Sequence, residues 1–340
     1  FITIHIGPNF GSNLQTIATS EILRKLGYDP TCVNYIPPRV TLRRFLKRGF
    51  SIHPRLIVAI GWGLYYLPQF LLNRYIYNSY LRKHCRVSKP IYARENFSER
   101  CPKADCYVTG SDQSWNFKYN EGYDGHYFFE NVEGKKIAYS TSIGNTELSE
   151  EEKECFKKIL PAYSAISVRE ASAQQLLNEL GFDAEHLIDP TFMLNKRDWG
   201  AYMSNRLEDD KYLLVYLPYN IVDKNLIYSS VRKIAEERKL KVVTLTTSYK
   251  KEKLADKTYR FANPGIFLSL MNYADYVVTN SFHGTAFSLN LNKQFWVYMP
   301  SGFSTRISSL LELCGQKRRL LTDIIEEKQM EEEIDYEKVN

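Results

Sequence analysis

Runs of β-branched and aliphatic residues alternate along this chain with stretches whose apolar positions recur every three or four residues. Residues 2–6 read as a strand, followed by the loop GPNFGSN and a helix whose apolar side carries Leu14, Ile17, Ala18, Ile22, Leu23 and Leu26, closed by Gly27. A mostly helical excursion spans about 39–97. Strands at 105–109, 136–140, 165–168 and 186–188 and helices at 150–160 and 170–180 come next. Asp189 and Pro190 mark a turn, because proline drives its neighbour out of helix. A linker at 191–199 separates an N-terminal lobe, 1–193, from a C-terminal lobe, 194–340. The second lobe alternates strictly: strands at 212–217, 242–246, 275–279 and 295–299, helices at 223–239, 264–273, 285–292 and 304–314, then an acidic tail read as a solvated terminal helix. Such alternation implies α/β architecture, two Rossmann-like lobes with parallel sheets facing a central cleft. Ligands of open α/β sheets lie beyond the carboxyl ends of the strands, so GPNFGSN, GSDQSWN and NSFHGT are expected to point toward that cleft.

One segment departs from this pattern. Residues 56–72, LIVAIGWGLYYLPQFLL, carry no charge and are bracketed by Arg55 and Arg74. The run falls a little short of the ~20 apolar residues a spanning helix needs, and Gly61, Gly63 and Pro68 interrupt it. A hairpin of helices packed on the first lobe is the expected form. The alternative is a membrane-facing patch, with Arg43, Arg44, Lys47, Arg48, Arg82 and Lys83 on its flanks and Trp62, Tyr65 and Tyr66 at headgroup level.

Composition narrows the class. With 340 residues, 44% hydrophobic and 25% charged, the chain is globular and long enough for two cores. A net charge of +6 and a pI near 8.8 are only mildly basic, and the cations are scattered, so nucleic acid is not the expected partner. Anionic small molecules, anionic glycans or a membrane surface suit that bias equally. The six cysteines form no CxxC pair, which argues against a zinc site and for reduced structural thiols and a cytoplasmic setting. Residues 1–7 read as a strand, without the basic segment of a secretory leader. The GPNFGSN loop has neither GxGxxG nor a Walker lysine, and no acidic pair suits Mg²⁺, so no metal and no tightly bound cofactor are expected.

Residues 275–291, DYVVTNSFHGTAFSLNL, hold the strongest chemistry: a short strand, a turn with cap residues and one histidine, then a helix. Unpaired amides at a helix start and the helix dipole favour an anion there, with His283 beside it. The helix start lowers an imidazole pKa and a bound phosphate raises it, so protonation of His283 would follow ligand binding. In GSDQSWN, Asp112 and Gln113 can bind sugar hydroxyls or activate one, or simply stabilise the loop. Trp115 can stack on a sugar or fill the core. Asn9, Ser12 and Asn13 can approach an acceptor from the first lobe, while Asp189 fixes its turn.

The set NFGSNLQ (9–15), VTGSDQSWN (108–116), AYSTSIG (138–144), ISVRE (166–170), IDPTFML (188–194) and VTNSFHGTAFSL (278–289) resembles the polysaccharide pyruvyl transferase family, in order and over nearly the whole chain. The resemblance implies a GT-B-like architecture. It also implies transfer of a pyruvyl group from phosphoenolpyruvate, the co-substrate, to two hydroxyls of a glycan sugar, forming a ketal in surface or capsular polysaccharide. The glycan would be a lipid-linked oligosaccharide met at the inner face of the membrane. On this resemblance the first lobe takes the acceptor, through Asn9, Ser12, Asn13, Asp112, Gln113 and Trp115. The second takes the donor, through Ser281, His283, Gly284, Thr285 and Arg306. Arg169, in the SVRE motif, is expected in the active crevice as a two-bonded grip on carboxylate or phosphate; an ion pair pinning adjacent helices is the open alternative. Arg306 is preferred to Lys293, which lies at the far end of its helix. His283, Arg169 and Asp112 are the expected catalytic groups. A nucleotide-sugar glycosyltransferase and a non-catalytic glycan- or anion-binding relative remain the alternatives.

Overall fold

Short runs rich in valine, leucine and tyrosine, bounded by turn residues, become parallel strands in both halves of the chain. The computed structural model describes residues 1–53, 55–220, 223–300 and 304–339, which divide into two units, Phe1–Met193 and Leu194–Asn340.

In the first unit, strands β1 (Tyr35–Ile36) and β2 (Ile91–Tyr92) pair in parallel, and β3 (Cys106–Thr109), β4 (Lys135–Thr141), β5 (Tyr163–Val168) and β6 (Ala184–His186) form a parallel sheet in that order. The expected opening strand is reduced to one bridge: Ile2 lies beside Thr109, donating its N–H to the Val108 carbonyl at 2.9 Å and accepting from Gly110 at 2.7 Å. Beyond it, the Nδ1 of His5 lies 3.0 Å from the Thr3 carbonyl. On the other side of this segment the Val33 N–H donates to the Phe1 carbonyl at 2.8 Å. Helix α1 (Phe10–Lys25) is capped by Asn9, and α2 (Leu42–Ile52), α3 (Leu56–His84), α4 (Phe97–Arg100), α5 (Phe117–Asn120), α6 (Glu150–Ile159) and α7 (Ala171–Glu179) complete the unit.

Residues 56–72 do not fold into two helices. They begin the 29-residue α3, which runs through Gly61, Gly63 and Pro68 without a break. Phe45 of α2 explains the continuity: its ring lies 5.0 Å from Trp62 and 4.7 Å from Phe70, bracketing the proline whose ring removes one helical hydrogen bond. Gly49 lets the helices close, since a Cβ there would fall 2.6 Å from the Trp62 ring.

The second unit carries β7 (Tyr212–Tyr216), β8 (Lys241–Thr246), β9 (Lys257–Arg260), β10 (Tyr276–Thr279), β11 (Gln294–Tyr298) and β12 (Leu320–Leu321). They form one parallel sheet in the order β12-β11-β10-β7-β8-β9. Its helices are α8 (Lys196–Gly200), α9 (Lys224–Arg238), α10 (Pro264–Tyr273), α11 (Phe282–Asn290), α12 (Ser304–Leu313) and α13 (Glu327–Glu331). The pattern of residues 247–262 hides β9 because this edge strand, KTYR, is charged, as unpaired edges commonly are. Nor is the acidic tail a solvated helix. Met330 and Ile334 are buried, the Arg319 guanidinium donates to the Glu332 carbonyl at 2.7 Å, and the Tyr336 hydroxyl donates to the Ser288 carbonyl at 3.2 Å.

All six cysteines are free. Burial pushes the Cys32 and Cys85 thiols up to about 12. Only the thiolate is alkylated, so near neutral pH both should resist iodoacetamide. Peptide mass spectrometry is expected to find them unmodified in native protein and modified in urea; prompt labelling of either in native buffer contradicts this packing.

Candidate active site

The chain reverses its winding once in each unit. In the first unit the chain leaves the 1–5 segment through α1 toward residues 32–36 on one side, whereas β3 leads through its loop to β4 on the other. In the second, β7 leads through α9 to β8 and β10 leads through α11 to β11, in opposite directions. A reversal of this kind splays the two loops apart at the carboxyl ends of the strands and opens a crevice. GPNFGSN and GSDQSWN flank the first reversal, and NSFHGT flanks the second.

The first crevice is a polar network. Asn9 caps α1 by accepting from the Ser12 N–H at 3.1 Å, and the Ser12 hydroxyl donates to Asp112 at 2.5 Å, joining the two loops. Asp112 adopts a left-handed φ of +73°, a conformation that aspartate tolerates better than most side chains. Its carbonyl accepts from the Ser142 N–H at 3.0 Å, which draws in the AYSTSIG loop. Gln113 accepts from Asn116 at 2.8 Å.

Arg169 lies in this network, its side chain 2% exposed, 2.6 Å from Asp189, 3.6 Å from Glu170 and 3.7 Å from Asp112. Burial opposes its charge, but Asp189, Glu170 and Asp112 outweigh burial and hold its pKa above the ordinary value. The expected grip on the donor is therefore corrected. One cation among three carboxylates repels a phosphate, and the guanidinium instead pins the β5, β6 and β3 loops together. Asp189 also fixes its turn, accepting from the Thr191 N–H at 3.0 Å and hydroxyl at 2.7 Å.

Trp115 requires a second correction. It is fully buried and stacks on Phe128 with ring centroids 5.3 Å apart, so no sugar reaches its face. Asn13 is also buried, in α1, with its amide 3.5 Å from the Tyr77 carbonyl, and it braces α3 rather than facing an acceptor.

At the second crevice α11 begins earlier than its sequence pattern suggests, so His283 stands in the first turn of the helix and not in the preceding loop. Ser281 caps that turn, its hydroxyl accepting from the Gly284 N–H at 3.3 Å. Asn280 spans the crevice by donating to the Tyr219 carbonyl at 3.0 Å. His283 is 5% exposed, and the Arg306 guanidinium of α12 lies 5.7 Å from the neighbouring Phe282 ring. Lys293 sits past the other end of α11, donating to the Ala274 carbonyl at 3.1 Å, with its pKa lowered by burial to about 8.

Gly284 and Thr285 serve the helix itself, which corrects their expected contact with a donor. A Cβ on Gly284 would fall 2.2 Å from the Thr279 hydroxyl oxygen, so its absence lets α11 settle onto β10. Thr285 is fully buried and its hydroxyl donates back to the Ser281 carbonyl at 3.0 Å. Sequence reasoning missed Ser142, Glu170 and Ser111, whose hydroxyl donates to Asp189 at 3.0 Å, as members of the first network. The clue was the SVRE and IDPT motifs standing at the ends of neighbouring strands. Among the described residues no group of three or more His, Cys, Asp and Glu is arranged to hold a metal ion.

The family model of polysaccharide pyruvyl transferases matches residues 9–302. No curated protein matches the chain. Among solved structures, the UDP-GlcNAc 2-epimerase of Neisseria meningitidis bound to UDP-GlcNAc is 9% identical, over 95% of this chain and 87% of that one, with a TM-score of 0.45. S. aureus MnaA with UDP is 13% identical, over 88% and 85%, with a TM-score of 0.46.

Two substitutions check these assignments. Arg169→Met strands three buried carboxylates and is expected to lower unfolding free energy by ~3–5 kcal/mol in urea titrations, with Arg169→Lys recovering part. Gly284→Ala is expected to lose ~1–3 kcal/mol, and Thr279→Ala in the same chain should return some of it; additive losses would mean the two do not meet.

Proposed function

Because the chain belongs to the polysaccharide pyruvyl transferase family, we propose that it moves a pyruvyl group from phosphoenolpyruvate to two hydroxyls of one glycan sugar, as a step in surface or capsular polysaccharide biosynthesis. The observation that carries this reading is His283 in the first helical turn at a chain reversal, with Arg306 on the adjoining helix.

The chemistry asks for three things. A proton must reach the methylene carbon of phosphoenolpyruvate, which leaves an oxocarbenium-like centre at the carbon bearing carboxylate and phosphate. A sugar hydroxyl then adds to that centre and gives up its proton. Finally the C–O bond to phosphate breaks, and a second hydroxyl closes the ketal with loss of its own proton. His283 suits the acid, since imidazole titrates near neutrality and the amino end of α11 favours the anion being protonated. Arg306 supplies fixed positive charge for phosphate or carboxylate, a role its planar guanidinium suits.

In the first unit, Asp112 is the base for an attacking hydroxyl, joined by Ser12 and Gln113 as hydroxyl partners. Arg169 acts as a positioning residue, holding Asp112 and Asp189 in register without touching the donor. A carboxylate-rich crevice suits a neutral polyol, whose hydroxyls donate to it, better than a phosphate.

His283→Ala is expected to lower kcat/KM for phosphate release from phosphoenolpyruvate by ~10²–10⁴-fold in the presence of a glycan acceptor, with an unchanged far-ultraviolet CD spectrum. Mass spectrometry of the glycan should show the gain of one ketal. Turnover near the parent rate in the variant removes His283 from the chemistry. Release of nucleoside diphosphate from nucleotide sugars, with none of phosphate from phosphoenolpyruvate, would replace this reading by glycosyl transfer.

A further inference from the structure

Neither α2 nor the amino-terminal half of α3 takes part in the chemistry above, yet together they enclose a cavity of about 640 Å³. Arg39, Arg44, Lys47, Arg48 and Arg74 line it against a single carboxylate, Glu121, which pairs with Arg44 at 3.0 Å. Phe45, Trp62, Tyr66 and Phe70 form its walls, and Gly7 and Pro8, at the start of the GPNFGSN loop, close one end. Nη1 of Arg39 is buried and, among the described residues, has no hydrogen-bond partner.

Basic residues on a helix are usually no more than a solvated face. Here they converge on a walled cavity, and the same two helices expose Leu46, Phe50, Ile57, Ile60 and Leu64, with Ile57 85% exposed. Exposed apolar side chains and a concentration of positive charge on one helical hairpin are the features of a surface made to meet an anionic amphiphile. A second copy of the chain fits poorly, because a two-fold contact through this face would set five cations against five.

We propose that the α2–α3 hairpin docks the protein on an anionic phospholipid bilayer. Headgroup phosphates meet the basic side chains that flank the hairpin, and the exposed apolar side chains of both helices enter the acyl boundary. By length and composition α3 is also able to cross a membrane. Its carboxyl-terminal half is nevertheless held in the protein, with Asn73, Tyr77 and Leu81 buried and Tyr77 packed 5.6 Å from Phe10 of α1. A helix anchored along that half lies on a bilayer instead of spanning it. Docking does not depend on pyruvyl transfer, and its test needs no turnover.

Flotation of the full chain with vesicles of phosphatidylcholine alone, or mixed with phosphatidylglycerol, reads the proposal directly. Binding is expected only to the mixed vesicles and should weaken as salt is raised. Lys47→Glu combined with Arg48→Glu should weaken it by at least about tenfold. Ile57→Ser with Leu64→Ser should weaken it as well, and all four side chains are exposed, so CD and melting temperature should not change. Equal binding to neutral vesicles, no binding to either, or indifference to both variants overturns the proposal. So does membrane-bound protein that resists carbonate extraction, which marks a span, or a concentration-dependent dimer abolished by Ile57→Ser and Leu64→Ser.

Discussion

The reversal of winding in each unit is the constraint from which the rest of the site follows. Parallel strands joined by right-handed crossovers leave a crevice only where consecutive units turn opposite ways. Side-chain hydrogen bonds then tie the two loops that flank it. In the first unit Ser12 donates to Asp112, and in the second Asn280 donates to the Tyr219 carbonyl. Both ties join residues far apart in sequence.

The crevices differ in charge. The first gathers Asp112, Glu170 and Asp189 around one buried guanidinium, a network in which each ion is expensive to desolvate and depends on its neighbours. The second sets an imidazole at a helix amino terminus near a buried arginine. Close packing maintains the geometry: Gly284 lets α11 rest on Thr279, and the buried Trp115 stack supports the loop that carries Asp112.

The helical hairpin obeys another rule. The carboxyl-terminal half of α3 buries Asn73, Tyr77 and Leu81, with Tyr77 packed against Phe10 of α1, whereas its amino-terminal half buries only Ala59. A helix interrupted by proline and poor in buried contacts survives there because α2 supplies the aromatic side chain that flanks the interruption. Local propensity alone would have ended it.

Periodicity in the sequence determined the α/β class, most strand and helix centres, and the loops that end the central strands, because burial of one face imposes spacings of two or 3.6 residues on any chain that folds this way. His283 and Asp112 stand where such patterns break, which is what singled them out as candidates. Tertiary structure alone decided which polar residues meet. Arg169 carries the same charge in every sequence context, and only the neighbouring loops of β3 and β6 turned it from an anion grip into a pin. Trp115 and Thr285 became interior, α3 remained one helix, and the charged edge strand β9 formed against β8. Each outcome depends on contacts between residues distant along the chain, and a one-dimensional pattern carries no record of those contacts.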